Sequence, residues 1–124
     1  MTVTQVILTV MAAIILINWA RKFAISRKLT HYSAKEAKEK SKNPNVMLLD
    51  VRTAAERNRA SIKGPIHIPV NQLKSRVDEL KKYKSKEIIC YCQTGSRSLT
   101  AASILYKAGF KSANMKDGIR TWNF

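Results

Sequence analysis

The residues best placed to do chemistry are Cys92-Gln93-Thr94-Gly95-Ser96-Arg97-Ser98. An apolar run, Ile88-Ile89-Cys90-Tyr91, leads into them, and a helix-forming run follows. The first N–H groups of a helix have no internal partner and carry partial positive charge. A loop curled over them forms a cradle for an anion. A cysteine at the rim of such a cradle gains thiolate character, and the thiolate is the nucleophilic form. Gly95 permits the curl, Thr94, Ser96 and Ser98 keep the loop small and polar, and Arg97 adds a fixed charge. Cys92 is therefore the candidate nucleophile, with Gln93, Thr94, Gly95, Ser96, Arg97 and Ser98 as its binding loop.

Spacing separates two chemistries. A cysteine phosphatase needs five residues between Cys and Arg to surround a phosphate, but four lie between Cys92 and Arg97. The smaller ring suits a single sulfur carried on the cysteine and argues against a phosphatase or arsenate reductase. Cys90 lies two residues earlier, on the same strand face. At a Cα separation of about 6.5 Å a structural disulfide is not expected, so both thiols are read as free and the compartment as reducing. Cys90 itself reads as a small buried hydrophobe. Asp50 and Arg52 follow a strand and suit a supporting role, tying neighbouring loops together. His67 reads as a packed histidine and His31 as a linker residue. No Cys–His or metal-ligand cluster is evident, so no metal is expected.

The elements that must position this loop are short. Ser33-Ala34-Lys35-Glu36 is a capping-box pattern that opens a helix running to about Lys40, and Pro44 breaks the stretch that follows. Val46 to Leu49 reads as a buried strand and Thr53 to Arg59 as a short helix. Gly64-Pro65 marks a turn before a brief strand at Ile66 to Ile68. Leu73, Val77 and Leu80 place a helix over Gln72 to Lys82. Glu87 to Cys92 is a strand, Ser98 to Ala108 a helix stopped by Gly109, Ser112 to Met115 a last strand, and Ile119 to Asn123 a final helical turn. Strands apolar on both faces, alternating with helices, predict an α/β domain with a small parallel sheet.

The 124 residues fit one domain plus a short appendage. The formal net charge is +15, yet the first twenty residues hold no Asp, Glu, Lys or Arg. Val3 to Ala20 is apolar and would span roughly 27 Å as a helix, close to a bilayer's hydrocarbon thickness. Trp19 and Phe23 fall at the interface, and Arg21, Lys22, Arg27 and Lys28 follow directly. The basic residues come after the apolar run and there is no small-x-small cleavage site, so a membrane helix is expected rather than a cleaved signal peptide. The positive-inside bias places the C-terminal domain in the cytoplasm, as a single-pass cell-membrane protein. The organisation expected is an anchor over 1–22, a juxtamembrane linker over 23–30 and a domain over 31–124, with residues 3–20 meeting the bilayer. With the remaining Lys and Arg dispersed and no aromatic-interleaved motif, nucleic acid is not an expected partner.

Taken together, the motifs resemble a single-domain rhodanese from about Leu29 to Phe124. Cys92 to Ser98 matches that family's active-site loop, and Leu48-Leu49-Asp50-Val51-Arg52-Thr53 its signature after the second strand. Ile66-His67-Ile68-Pro69, Gly109-Phe110 and Gly118-Ile119-Arg120-Thr121-Trp122 follow in order. The resemblance implies a rhodanese-like fold and a thiosulfate sulfurtransferase activity. The Cys92 thiolate would take the outer sulfur of thiosulfate or a similar donor and pass the resulting persulfide to a thiol or protein acceptor, with no cofactor. It also leaves open a persulfide relay or binding module that recruits a partner at the membrane. The chain departs from the pattern at Ala55, Glu56 and Arg57, at Ser61, and at Asp117, where the family has an acidic pair with an aromatic, a histidine and a first glycine; these read as scaffold positions.

Overall fold

The computed structural model describes residues 1–122. Asn123 and Phe124, the ends expected for the last turn and for the domain, lie outside the described residues. Five strands form one sheet: β1 (Thr30–Tyr32), β2 (Val46–Asp50), β3 (Ile66–His67), β4 (Glu87–Tyr91) and β5 (Lys111–Met115). Their order is β1-β5-β4-β2-β3, and every pair is parallel. The helices are α1 (Val3–Lys28), α2 (Ala34–Ser41), α3 (Ala54–Arg59), α4 (Val70–Arg76) and α5 (Ser96–Lys107).

The core lies on both sides of the sheet, as expected for parallel strands. On one face Leu49, Ile88, Cys90 and Cys92 pack with Leu73 of α4, and with Ala101, Ala102 and Leu105 of α5. On the other, Leu48, Ile89, Tyr91, Ala113 and Met115 pack with Ala34 and Ala37 of α2. β4 sits in the middle, so the end of the most buried strand delivers Cys92. A parallel sheet binds ligands beyond the carboxyl ends of its strands, and Cys92 stands there.

Local chemistry fixes most of the boundaries. Ser33 and Thr53 both close capping boxes, with Glu36 and Glu56 three residues on. The helix expected over Gln72 to Lys82 divides instead into α4 and a 3-10 segment, Val77–Tyr83. Val77, Leu80 and Tyr83 recur every third residue, which aligns them on one face of a three-residue turn. α5 begins at Ser96, two residues before the expected start, so Arg97 and Ser98 belong to its first turn.

The junction after the apolar segment differs most from expectation. α1 continues unbroken to Lys28 through the stretch read as a linker, and Leu29 is buried as its C-cap. β1 follows at once, so His31 lies in a strand rather than a linker. Ile25 packs against the core, and Thr30 to Tyr32 pair in register with Ala113 to Met115. Three residues of Thr-His-Tyr carry too little pattern to be read as a strand, but the edge of the sheet recruits them.

The turn after β5 braces the loop between β4 and α5. Ile119 N–H donates to the Cys92 carbonyl at 2.9 Å. Gly118 has φ 73° and ψ −174°, a region open only to glycine. A Cβ there would overlap the Gln93 carbonyl and the Thr94 amide nitrogen, which are backbone and cannot swing aside. Gly118→Ala should therefore cost about 1–3 kcal/mol from backbone strain alone, read as a lower urea midpoint. It should also slow alkylation of Cys92 in the fraction that remains folded, because the displaced backbone belongs to the loop. A variant that matches the parent in both would show the turn to be incidental.

Candidate active site

Cys92 is the first residue after β4, and its side chain is fully buried beneath the loop. The Gly95 N–H donates to Sγ at 3.0 Å, and the Ser98 hydroxyl lies 3.4 Å from it. Gly95 reaches this position with φ 104°, as N-cap of α5. Burial disfavours the thiolate, but the Ser98 hydroxyl and the N–H groups of Ser98, Gly95 and Thr94 outweigh it, so the Cys92 thiol is held below its ordinary value. Two residues away the balance reverses. Burial, and then the nearby charge of Cys92, push the Cys90 thiol far above its ordinary value. Two thiols two residues apart thus differ: Cys92, at the end of β4, is held toward the thiolate, whereas Cys90, within the strand, is kept protonated.

The other loop residues divide by role. Gln93, Thr94 and Ser96 are exposed on the loop's outer face, whereas Ser98 is buried beneath it. The Ser98 hydroxyl donates to Asn114 Oδ1 of β5 at 2.6 Å. Arg97 reaches to α3. Its two terminal nitrogens meet both carboxylate oxygens of Glu56, at 2.6 and 2.8 Å. This fork-to-fork pairing with Arg97, opposed by partial burial and aided by the Thr53 cap, lowers the Glu56 carboxyl to about 2.

Asp50 and Arg52 form the neighbouring buried pair, each 1% exposed. Arg52 Nη2 meets Asp50 Oδ2 at 3.0 Å and Nε meets Oδ1 at 3.2 Å. Asp50 also accepts the Tyr91 hydroxyl at 2.9 Å and the Arg52 N–H at 3.0 Å. Arg52 donates further to the Ala60 carbonyl at 2.6 Å and reaches the Gln93 side chain at 3.5 Å. A buried ion pair is tolerated only when its remaining donors and acceptors are satisfied, and here they are. The pair joins the ends of β2 and β4, α3 and the loop, without touching the sulfur. His67 is packed, as read from sequence, and its Nε2 meets the Arg52 carbonyl at 2.6 Å.

Four residues of the site were not singled out from sequence. Glu56 looked like a departure at a scaffold position, yet it sets the charge around Arg97. Gly118 was noted in a motif, without its contact to the loop. Asn114 gives no signal in the sequence and His31 reads there as a linker residue, because their meeting depends on the register of β1 with β5. Among the described residues no group of three or more His, Cys, Asp or Glu side chains could hold a metal ion.

Residues 33–124 match the rhodanese-like domain family. A presumed sulfur carrier protein of Bacillus subtilis is 40% identical over 76 residues, covering 60% of this chain and 40% of its own length. A sulfurtransferase of Allochromatium vinosum is 30% identical over 79 residues, covering 63% of this chain and 72% of that protein. Among solved structures, a rhodanese-related protein of Thermoplasma volcanium superposes with a TM-score of 0.68 at 28% identity, over 75% of this chain and 89% of that one. The chain thus spans less than half of the first of these relatives and most of the other two. A parallel α/β sheet, a loop of Cys92-x4-Arg97 wrapped on one sulfur and a family match across the whole domain agree: this chain belongs to the rhodanese-like family.

Proposed function

We propose that the protein is a membrane-anchored sulfurtransferase that carries sulfane sulfur as a persulfide on Cys92. The observation that carries this is the Cys92 sulfur itself: a buried thiol, held below its ordinary value, that receives an N–H at 3.0 Å from a loop too short to surround a phosphate. The Cys92 thiolate attacks the outer sulfur of a donor such as thiosulfate. A bond forms between the two sulfurs, the donor's S–S bond breaks, and sulfite leaves with the electron pair. The persulfide anion rests among the N–H groups of the loop. A thiol or protein acceptor then attacks the terminal sulfur and the Cys92 thiolate is released. This is covalent catalysis in two steps, and it uses no cofactor.

The anchor reading rests on α1. It is long and apolar enough to cross a bilayer, and its apolar stretch is not buried against the domain, which α1 meets only near its end, at Ile25. Basic residues Arg21, Lys22, Arg27 and Lys28 follow the apolar stretch, which supports a cell-membrane location with the domain on the cytoplasmic side.

A relay role is the second reading, and the Glu56–Arg97 pair favours it. Thiosulfate is a dianion, and the loop's one arginine is already neutralised. A persulfide delivered by a protein partner needs less positive charge at the loop. Tethering near membrane partners raises their effective concentration and offsets a weak intrinsic affinity.

Two measurements test these points. The full chain in detergent, incubated with thiosulfate, should gain one sulfur (about 32 Da) by intact mass, and Cys92→Ser should gain none. An unchanged parent mass, with the thiol shown free, would remove thiosulfate as donor and leave the relay. Glu56→Gln should raise the ratio of iodoacetate to iodoacetamide alkylation rates at Cys92 about three- to tenfold, because a negative charge leaves the site. Glu56 is depressed to about 2, so it stays ionised above that value and the increase should hold constant from pH 5 to pH 8. A ratio unmoved by the substitution would mean that Arg97 is not electrically screened by Glu56.

A further inference from the structure

A continuous line of side chains runs from the candidate nucleophile to the end of α1. The Cys92 thiol reaches Ser98 Oγ at 3.4 Å, and Ser98 donates to Asn114 Oδ1 at 2.6 Å. Asn114 Nδ2 meets His31 Nδ1 at 3.4 Å, and His31 Nε2 meets the Ser26 carbonyl at 2.8 Å. His31 and Asn114 are cross-strand partners in register, so the backbone itself sets the third contact. Ser98 and Asn114 are buried, and His31 is open to solvent.

The line has a direction. With Cys92 as a thiol, each group donates to the next, and neutral His31 donates through Nε2 to Ser26. With Cys92 as a thiolate, the Ser98 hydroxyl must turn to donate to sulfur. Asn114 Oδ1 would then face Ser98 Oγ without a proton between them. Rotating the Asn114 amide repairs this: Nδ2 donates to Ser98, and Oδ1 turns to His31. Oδ1 needs a donor, which His31 supplies only if Nδ1 carries a proton. Nε2 keeps its own proton on Ser26, so His31 is then an imidazolium.

We propose that His31 is a positioning residue whose protonation is coupled through Asn114 and Ser98 to ionisation of Cys92. The proposal rests on Cys92 being the nucleophile of the function given above. The thiol proton leaves to solvent, and His31 takes one from solvent. The pair exchanges Cys92–SH with neutral imidazole for thiolate with imidazolium, and total charge is conserved. The His31 ring lies against the carbonyl end of α1, at Ser26. The charged groups on the elements around His31 are Arg21, Lys22, Arg27 and Lys28 of α1, Lys35, Glu36, Lys38, Glu39 and Lys40 of α2, Lys111 of β5, Lys116 beyond it, and Arg97 and Lys107 of α5; Glu36 is held by the Ser33 cap and Glu39 by Lys42. These are mostly basic, so the Cys92 thiolate is the anion that the line connects to the imidazolium.

The test is the pH profile of Cys92 alkylation by iodoacetamide, on the full chain in detergent; it reads thiolate directly, so a protein that forms no persulfide from thiosulfate can still pass it. His31→Gln keeps a side chain able to donate to Ser26 and meet Asn114, but it cannot take the proton. Its alkylation midpoint should rise by about 0.5–1 pH unit, a three- to tenfold loss of thiolate below the midpoint. In an Asn114→Leu background, His31→Gln should shift nothing further. Linkage is reciprocal, so the His31 ring titration, followed by NMR, should fall by a similar amount in Cys92→Ser; this reading does not need Asn114→Leu to fold. A His31→Gln midpoint equal to the parent's overturns the proposal, as does a His31 titration blind to Cys92→Ser. A full His31→Gln shift that persists in folded Asn114→Leu overturns the route through Asn114.

Discussion

A single sulfur at the end of β4 is held toward the thiolate by the Ser98 hydroxyl and by N–H groups at the start of α5 that the helix cannot bond itself. Everything nearby serves that constraint. Gly95 turns the backbone so that its own N–H meets the sulfur. Gly118 lets a second strand of backbone lie directly against the loop, where any side chain would lift it. Asp117, just before it, takes a left-handed φ of 67°, which an aspartate tolerates better than most residues and a glycine would take without strain. The buried Asp50–Arg52 pair draws the ends of two strands, α3 and Gln93 to one point. The scaffold therefore spends its charged groups on position and leaves the field at the sulfur to the Ser98 hydroxyl and backbone amides.

This division explains an apparent mismatch in charge. The chain carries a formal +15, yet both arginines nearest the loop are matched by a carboxylate: Arg52 by Asp50 and Arg97 by Glu56. The excess positive charge lies elsewhere, on the exposed lysines and beyond the apolar segment. An amide cradle with little net charge stabilises a small, soft anion such as a persulfide, and exerts less pull on a bulky dianion. The family relationship fits the first task without requiring the second.

How much of this could be read from the residues depended on how local the signal was. The strand–loop–helix unit at Cys92 was legible because its parts are contiguous: an apolar strand, small polar residues, a glycine and an arginine at fixed spacing. The parallel sheet was legible from runs apolar on both faces, since only burial under two layers requires them. The capping box at Ser33 marked α2 to within a residue. What failed depended on distance along the chain. Glu56 is 41 residues from Arg97, and His31 is 83 from Asn114. Neither pairing has a local pattern, because the sheet's order brings them together. The junction at residues 23–30 reads as a linker from sequence for a related reason: only the fold shows that Ile25 packs against the core, that Leu29 is buried and that the helix runs on to Lys28.

The unbroken junction between α1 and β1 has a geometric consequence. At 1.5 Å per residue, 26 helical residues measure about 39 Å, of which a bilayer's hydrocarbon would take about 27–30 Å. With residues 3–20 in the lipid, roughly 10 Å of stiff rod remains before the sheet begins. A slack tether would let the domain sweep a hemisphere; in a bilayer, a rod would confine it to spinning about the helix axis and tilting with it. The sulfur would then stay within a narrow band of heights above the headgroups, and a membrane-bound acceptor would have to present its nucleophile within that band.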